Sequence, residues 1–426
     1  MKRSLAAVTA LLLALTGCSG GDPEESGPIT LSLAGWSLAT TPEFQKLADG
    51  FKTAHPDIAV EVKEYDANNY DTQMIADLAA GKAPDIYVQK NLKNFYTYQN
   101  GKQLLDVSDV AGKLGSGVGG LSGYQVDGKT WAIPYRADSW VLYYNKALFD
   151  KAGVKHPDGS WTWAEYATTA KELTTKLKAA GDKALGAYQH TWQSTAQGFA
   201  LAQTAGASLD TGDFAFLKPY YETALDLQTA GAQVSFGDAT TNSLTYQAQF
   251  GKQSTAMMLM GSWYIATLLS QQAAGEADTF DWGIAPAPQL TKDTTGTSAT
   301  PLTFGDPTGL GVNPKISERK IQAAKDFLAY AAGPEAAKAL AGIGVTPADT
   351  ATAADTIFGL KGVPTDELSK FAFTTHDTKP ENPVSQYTAP LQNILKDMHT
   401  AVLSGSTPVD AAITQAQDRA KNEVLK

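Results

Sequence analysis

Apolar residues in the first ninety positions follow two different spacings, which alternate along the chain. Segments with period-two alternation, typical of strands, are separated by segments whose apolar residues recur at helical spacing. The first helical segment begins at Pro42 after Thr41, a residue type that caps helix N-termini, and the second ends at Gly81. Strands that alternate with helices favour parallel pairing, so an α/β domain is predicted. The segments are strand 29–34, helix 42–55, strand 58–63, helix 70–80 and strand 85–88.

The later part of the chain continues in this style without an internal repeat. An apolar strand is predicted near the middle, and a helix ended by Gly333 and Pro334 lies further on. The predicted segments are strand 254–260 and helices 164–180, 321–332, 390–403 and 409–425. At 426 residues, the chain is long enough for two domains.

One stretch matches the phosphate-loop pattern GxxxxGK[ST] letter for letter, at residues 123–130. A phosphate loop needs a strand before it and a helix after it, so that backbone amides face the phosphates. Here residues 131–134 follow, which have strand character and end in proline. Asp127 and Gly128 between apolar flanks instead indicate a hairpin turn, so no nucleotide site is predicted.

The N-terminus has the features of an export signal. Lys2 and Arg3 precede an apolar run of signal-peptide length, and this run ends in a sequence that resembles the bacterial lipobox at Cys18. Cys18 is the only cysteine, which indicates a lipid attachment point rather than a disulfide partner. Residues 1–17 are therefore predicted to be a cleaved signal peptide. Lipidated Cys18 then begins a flexible tether that extends to residue 28.

Charge and composition narrow the ligand class. Without Lys2 and Arg3, 32 basic residues face 44 acidic residues, a net charge of −12. An acidic body argues against nucleic acid and against peripheral binding to anionic lipid. No later stretch is apolar enough to span a bilayer, and the five histidines are scattered, so no metal site is predicted. A neutral polar ligand fits this composition best.

Several segments, in order and spacing, resemble the family of extracytoplasmic sugar-binding proteins of ABC importers, which includes the periplasmic maltose-binding protein. The most diagnostic is the stretch from Trp131 to Phe149, with its Pro134 and its Tyr-Tyr-Asn run. Tyr135 and Arg136, just after Pro134, are bulkier and more polar than is usual in the family. The other matching segments are 79–86, 152–154, 161–165, 256–263, 282–288, 323–328 and 333–335.

The resemblance implies a two-lobe periplasmic-binding-protein fold of type II, a Venus-flytrap whose α/β lobes are joined by crossover strands. It places the first lobe at 29–138 plus 310–348 and the second at 139–309 plus 349–426. The implied function is capture of a di- or oligosaccharide by cleft closure, followed by delivery to the permease of an ABC transporter. The protein is expected to be a monomer without catalysis, cofactor or nucleic-acid partner, anchored by lipid to the outer face of the bacterial cell membrane.

A sugar presents C–H groups on its faces and hydroxyls around its rim, so rings and planar polar groups are the expected contacts. Trp263 matches a stacking position of the family, and Asp138 lies where members often place an acidic sugar contact. The other tryptophan candidates are Trp36, at the end of a strand, and Trp192, in a polar loop, whereas Trp161, Trp163 and Trp282 are expected in the core. The remaining candidate ligand residues are Asp66, Gln89, Asn91, Arg136, Gln193, Asp306 and Tyr387.

Two alternatives stay open at this point. A lipid-anchored glycoside hydrolase needs only two carboxylates at a suitable separation, and carboxylates are numerous. A binding protein for a non-sugar solute, such as iron or a polyamine, is the other. The pairs Tyr143-Tyr144 and Tyr220-Tyr221 superficially suit ferric iron, but side chains of adjacent strand residues point to opposite faces, which argues against the first pair as a site.

Overall fold

The computed structural model describes residues 27–39, 42–349 and 353–426. The predicted signal peptide, Cys18 and the predicted helix cap Thr41 lie outside the described residues. The strands are β1 (Ile29–Trp36), β2 (Ile58–Tyr65), β3 (Ile86–Gln89), β4 (Gln125–Val126), β5 (Lys129–Thr130), β6 (Ile133–Ala137), β7 (Trp140–Asn145), β8 (Met257–Gly261), β9 (Trp282–Ala285), β10 (Leu302–Phe304), β11 (Pro307–Val312) and β12 (Asp377–Lys379).

The helices account for most of the remaining regular structure in this part of the chain, and the last of them continues into a π-helical turn at Ala420–Val424. They are α1 (Glu43–Ala54), α2 (Tyr70–Ala80), α3 (Phe95–Asn100), α4 (Ser108–Ala111), α5 (Lys146–Ala152), α6 (Trp163–Ala179), α7 (Ser194–Gln203), α8 (Lys218–Thr229), α9 (Phe236–Thr241), α10 (Tyr246–Gly251), α11 (Tyr264–Ala273), α12 (Glu318–Ala331), α13 (Pro334–Ala341), α14 (Ala353–Phe358), α15 (Glu367–Thr374), α16 (Thr388–Leu403) and α17 (Val409–Arg419).

A five-stranded sheet forms the centre of the N-terminal part, in the order β2-β1-β3-β11-β6. β1 pairs in parallel with both β2 and β3, whereas β11 is antiparallel to β3 and β6. The parallel pairing predicted for the first three strands is therefore confirmed. β11 belongs to this sheet over its whole length, although it lies about 200 residues after β3 in the sequence.

A second, three-stranded sheet has the order β8-β7-β9, with both neighbours antiparallel to β7. Its strand β8 begins at Met257, three residues later than the predicted strand, because Leu185 and Thr255 form only an isolated bridge before it. The hairpin predicted at Asp127 and Gly128 is confirmed: β4 and β5 pair antiparallel, and both turn residues have positive φ. The strand β5 that follows the turn excludes the phosphate-loop geometry.

Two hydrophobic cores lie on these two sheets. We call the parts of the chain packed around them the first lobe and the second lobe. Each core buries large apolar side chains completely, so each lobe has the layered interior that stabilises an α/β unit without disulfides. Examples are Leu33, Phe44, Ile86 and Phe327 in the first core and Tyr143, Phe199, Met258 and Leu391 in the second. The exact lobe boundaries given above stay a prediction.

The chain passes between the lobes through neighbouring segments. The link from β6 to β7 contains Asp138, and the link from β10 to β11 contains Gly305, whose position leaves no room for a side chain: a Cβ there would lie 2.1 Å from the backbone oxygen of Asp138. A third segment runs beside them, since the backbone N–H of Ala137 donates to the oxygen of Thr346 at 3.2 Å. These close contacts bring the two sheets together at one place.

Candidate functional site

The carboxyl edge of the first sheet gathers most of the predicted polar ligand residues. β6 runs in the same direction as β3, because both pair antiparallel with β11. The ends of β1, β2, β3 and β6 and the start of β11 therefore lie at one edge, outside which α/β sheets bind ligands. The predicted residues at this edge, or directly after it, are Trp36, Asp66, Gln89, Asn91, Arg136, Asp138 and Asp306.

Arg136 lies between two carboxylates at this edge. Its Nη1 donates to both carboxylate oxygens of Glu43, at 2.8 and 2.7 Å, and its Nε lies 2.8 Å from Oδ2 of Asp138. Tyr135 also donates to Glu43, at 2.8 Å. Burial alone would lower the pKa of Arg136, but attraction to the two carboxylates outweighs it and raises the pKa. The unusual pair Tyr135-Arg136 is thus explained by a buried glutamate on α1.

Asp138 links this ion pair to the second lobe. The hydroxyl of Ser262 donates to Oδ1 of Asp138 at 2.8 Å, and the backbone N–H of Ser262 donates to the oxygen of Ser139 at 2.8 Å. Burial raises the pKa of Asp138, while Arg136 and the Ser262 hydroxyl act against that rise. Because Ser262 directly precedes Trp263, the same contacts fix the backbone that carries the predicted stacking residue.

The second lobe presents aromatic rings beside this network. Trp192 and Trp263 lie with ring centroids 6.5 Å apart, and Tyr246 lies 5.6 Å from Trp192. Trp192 is 36% exposed, and Trp263 is half-buried against Trp140. We call Trp192, Trp263 and Tyr246 the aromatic platform. Two indoles that lie together and reach solvent can cover the apolar face of a ligand ring.

The Trp263 ring depends on a glycine at the end of β8. It lies back over Gly261, where a Cβ would stand 1.8 Å from the indole. Trp192 comes from the irregular segment between Tyr188 and α7, and its neighbour Gln193 donates to the backbone oxygen of Gln392 on α16 at 3.2 Å. Tyr387, directly before α16, packs against the second core. Neighbouring residues of the second lobe therefore hold both indoles of the platform in place.

On the first lobe, Trp36 is more enclosed. Only 7% of it is exposed, and its ring meets the edges of Phe44 and Tyr70 at centroid distances of 5.0 and 5.1 Å. The ammonium of Lys90 lies 5.2 Å from the ring centroid. Asp66 accepts the backbone N–H groups of Asn68 and Asn69 and so shapes the loop that leads into α2.

Gln89 is the last residue of β3 and Asn91 lies two residues further on, but their side chains occupy different environments. The Gln89 side chain is 1% exposed, and neither its amide nitrogen nor its amide oxygen has a hydrogen-bond partner in the protein. Its nitrogen lies near Gly311 on β11, inside the lobe rather than at its surface. Asn91 is half-buried and accepts the backbone N–H of Lys93 at 3.1 Å.

Asp306 joins three segments between the lobes. Its carboxylate accepts the backbone N–H groups of Leu92, Glu381 and Asn382 at 2.9–3.2 Å and the Asn382 side-chain amide at 2.6 Å. Burial raises its pKa despite these four donors. A carboxylate has about four acceptor sites, so the protein itself uses the capacity of Asp306. Burial and the charge of Asp306 raise the pKa of neighbouring Glu381 to about 8.

Sequence reasoning missed several of these residues. Glu43 has the sequence signature of an ordinary solvated helix start, yet it is fully buried. Tyr246 also carries no local signal, because its neighbours at the site come from distant parts of the chain. Lys90 lies between the predicted residues Gln89 and Asn91, so its place at the end of a strand could have identified it. Of the three tryptophans predicted in the core, Trp282 is 2% exposed and stacks on Tyr143, whereas Trp161 and Trp163 are partly buried and pack against the second core.

Other features of the described residues do not compete with this site. No group of three or more potential metal-ligating side chains occurs among them, and none of the described helices has the length and apolar character needed to cross a membrane. Tyr143 contacts Phe250 and Trp282, whereas Tyr144 contacts Phe149, so the two phenols face different neighbours. A surface cavity of about 300 Å³ lies at the opposite edge of the first sheet, and none of the predicted ligand residues lines it.

Two α/β lobes with separate cores and a shared edge define a protein of the two-lobe binding class. A sequence model described as bacterial extracellular solute-binding protein matches residues 35–338, and the chain belongs to this family. These proteins bind solutes for ABC importers and are not enzymes. The suspected family and the type II two-lobe fold are therefore confirmed, and the glycoside hydrolase alternative is set aside.

Individual relatives show what the chain is similar to. A sugar transporter of Rhizobium etli, solved in an open conformation, is 31% identical and superposes with a TM-score of 0.75 over 92% of this chain and 99% of its own. The sn-glycerol-3-phosphate-binding periplasmic protein of Yersinia enterocolitica is 34% identical over 167 residues, 36% of each chain. An uncharacterized lipoprotein of Streptomyces antibioticus is 28% identical over 176 residues, 39% of this chain and 38% of its own.

Proposed function

We propose that this protein captures an uncharged di- or oligosaccharide between its lobes and delivers it to the permease of an ABC importer. The observation that carries the proposal is the aromatic platform, with Trp192 and Trp263 side by side next to the buried Asp138. An indole covers the C–H face of a sugar, and polar groups at the opposite edge pair with its hydroxyls. The sugar transporter of Rhizobium etli supports the same ligand class.

The charges at the site favour a neutral ligand over a phosphate. Arg136, the one buried guanidinium at the edge, already has its charge met by Glu43 and Asp138. A phosphate would have to displace those carboxylates, and separating a buried ion pair costs several kcal/mol, of the order of 3–5 kcal/mol. A saccharide requires no such rearrangement.

A second candidate ligand, a glycerophosphate, has one observation in its favour. Burial lowers the pKa of both Lys90 and Lys93 at the first-lobe edge, so an anion bound beside them would stabilise their charged forms. The Lys93 ammonium donates to the Asn393 side chain of α16 at 2.9 Å, across the gap between the lobes. The sn-glycerol-3-phosphate-binding relative makes this candidate worth testing.

A thermal-shift screen and calorimetry separate the two. Wild type, Trp263→Ala and Lys93→Met are each offered a saccharide library and sn-glycerol 3-phosphate. A saccharide at 100 times the wild-type Kd should stabilise wild type by about 2.7 kcal/mol and Trp263→Ala by only about 0.4 kcal/mol. Trp282→Phe is the matched control, since this core tryptophan should affect melting temperature without affecting Kd. Stabilisation by the phosphate alone, lost in Lys93→Met, would contradict the saccharide proposal.

We further propose that Cys18 carries the lipid that tethers the protein to the outer face of the bacterial cell membrane. Its position after the apolar run supports this, as does the similarity to the Streptomyces lipoprotein. Cells given radiolabelled palmitate should incorporate label into wild type and not into Cys18→Ala. Ser19→Ala, one residue further on, serves as the control and should be labelled normally. Equal labelling of the Cys18→Ala protein would contradict the anchor.

A further inference from the structure

The segment that carries Trp192 has no regular structure of its own. Residues 189–193 connect Tyr188, which forms only an isolated bridge with Met258, to the start of α7. A ring that must stay in place against a ligand needs its backbone held by something more rigid. Hydrogen bonds from one face of α16 meet this segment and the first turn of α7.

That face of α16 consists of Gln392, Leu395 and His399, which recur at helical spacing and share one side of the helix. Gln193 donates its side-chain N–H to the backbone oxygen of Gln392 at 3.2 Å. Gln197 donates to the backbone oxygen of Leu395 at 2.9 Å. The Nε2 atom of His399 lies 3.2 Å from the backbone oxygen of Thr191, the residue directly before Trp192.

The direction of the His399 hydrogen bonds follows from the partners. A carbonyl oxygen can only accept, so Nε2 carries the hydrogen and donates it to Thr191. Nδ1 is then the acceptor and takes the hydroxyl hydrogen of Tyr221 at 3.0 Å, while Tyr221 accepts from Gln197 at 2.9 Å. His399 is 2% exposed, and the edge-on contact with Phe236 restricts its ring. A buried chain of hydrogen bonds therefore runs from Gln197 through Tyr221 and His399 to Thr191, in the segment that carries Trp192.

We propose that His399 is a positioning residue for ligand binding, which holds Thr191 so that Trp192 stays in the aromatic platform. The inference rests on the proposed function, because the platform is the ligand surface assigned above. His399 itself reaches no ligand: it lies behind the segment, on the side of the second core. The N–H donor at Nε2 of His399 is the feature needed to hold Thr191.

Three substitutions separate positioning from general stability. His399→Asn is too short to reach Thr191, whereas His399→Gln can place an amide N–H where Nε2 stands. Tyr221→Phe removes the hydroxyl between Gln197 and His399 but keeps the bond from His399 to Thr191. We expect His399→Asn to raise the saccharide Kd about tenfold. His399→Gln should restore binding to within about twofold, and Tyr221→Phe should lower the melting temperature with Kd unchanged.

A double variant tests whether His399 acts through Trp192. Once Trp192→Ala has removed the ring, adding His399→Asn should weaken binding no further, because effects through a shared partner are not additive. Fully additive losses would overturn the inference. So would a folded His399→Asn protein that binds as wild type does, or a Tyr221→Phe protein that loses as much affinity as His399→Asn.

A readout without ligand keeps this test separate from the proposed function. In protein labelled with 5-fluorotryptophan, the ¹⁹F resonance of Trp192 is identified by its loss in Trp192→Phe. His399→Asn should shift or broaden this resonance, and Tyr221→Phe should not. An unchanged resonance in His399→Asn overturns the positioning role whatever the ligand is, whereas a wild type that binds no saccharide overturns only the proposed function. Should His399→Asn not fold, a folded His399→Gln with a displaced Trp192 resonance overturns the inference equally.

Discussion

Trp36 of the first lobe and Trp263 of the second both stand at the carboxyl end of a strand, and their environments are nevertheless different. Trp36 is the last residue of β1, so its side chain projects from the sheet and packs between Phe44 and Tyr70. Trp263 lies two residues beyond β8, at the start of α11, and its ring folds back over Gly261 towards Trp192. The end of a strand brings a ring to the ligand edge, but the neighbouring residues decide whether the ring is left uncovered.

This difference predicts that removing the first ring mainly reduces stability and that removing the second mainly reduces binding. A ring enclosed by the core contributes mainly to stability, and a ring left partly open contributes mainly to binding. The first lobe therefore supplies polar groups and a rigid wall at the edge, while the second lobe supplies the aromatic surface.

The largest effect is expected at the enclosed ring. Trp36→Ala should lower the free energy of unfolding by about 3–5 kcal/mol, because it opens a cavity between the two neighbouring rings. Urea denaturation of the ligand-free protein measures the loss. The fraction that remains folded should still bind saccharide, so loss of binding in a protein of unchanged stability would place Trp36 on the ligand surface.

Trp263→Ala should show the reverse pattern. The saccharide Kd should rise about 100-fold, equivalent to about 2.7 kcal/mol, because the platform loses one of its two indoles. The melting temperature of the ligand-free protein should change little. Calorimetric titration and a thermal scan on the same sample give both quantities. Extensive unfolding without ligand would instead make Trp263 a core residue.

The architecture was largely accessible from the sequence, since it depends on local patterns. The alternation of strands and helices up to β3, the parallel pairing and the hairpin at Asp127 and Gly128 all follow from spacing and turn chemistry. The motif order from Trp131 to Phe149 also indicated the correct family. These features involve residues near one another along the chain.

The detail of the site could not be obtained in this way, because it depends on distant pairs. Glu43 meets Arg136 across 93 positions, and Asp138 meets Ser262 across 124. Nothing near Glu43 in sequence distinguishes it from a solvated helix residue. The pattern could place Asp306 at the edge, but only the structure shows that its carboxylate is engaged by four protein donors.

A smaller contrast between the lobes lies in their response to pH. Burial lowers the pKa of His399 in the second lobe to about 4, although its bond to Thr191 acts in the opposite direction. Between pH 6.5 and pH 4 the unfolded chain therefore binds a proton that the native protein does not, and the free energy of unfolding falls as the pH falls. From pH 7 to pH 5 the loss due to His399 should be about 2 kcal/mol.

Urea denaturation of wild type and His399→Gln at the two pH values isolates this contribution. The variant lacks the titrating ring, so its stability should fall less steeply as the pH is lowered. His55, the one histidine of the first-lobe sequence range, provides the matched control through His55→Gln. Equal slopes for wild type and His399→Gln would show that the buried imidazole does not titrate as stated.

The smallest expected effect comes from adding one methyl group beneath the platform. Gly261→Ala places a Cβ where the Trp263 indole now lies, and the ring must move because the backbone of β8 is held by its pairing with β7. The displaced indole should raise the saccharide Kd about tenfold, equivalent to about 1.4 kcal/mol. Gly115→Ala, in the loop after α4 and outside the platform, has open space around it and should leave Kd unchanged. The variant keeps every aromatic side chain, so a raised Kd would show that the position of the ring, and not only its presence, distinguishes the second lobe from the first. An unchanged Kd would mean that the ring adapts and that the difference from Trp36 depends on exposure alone.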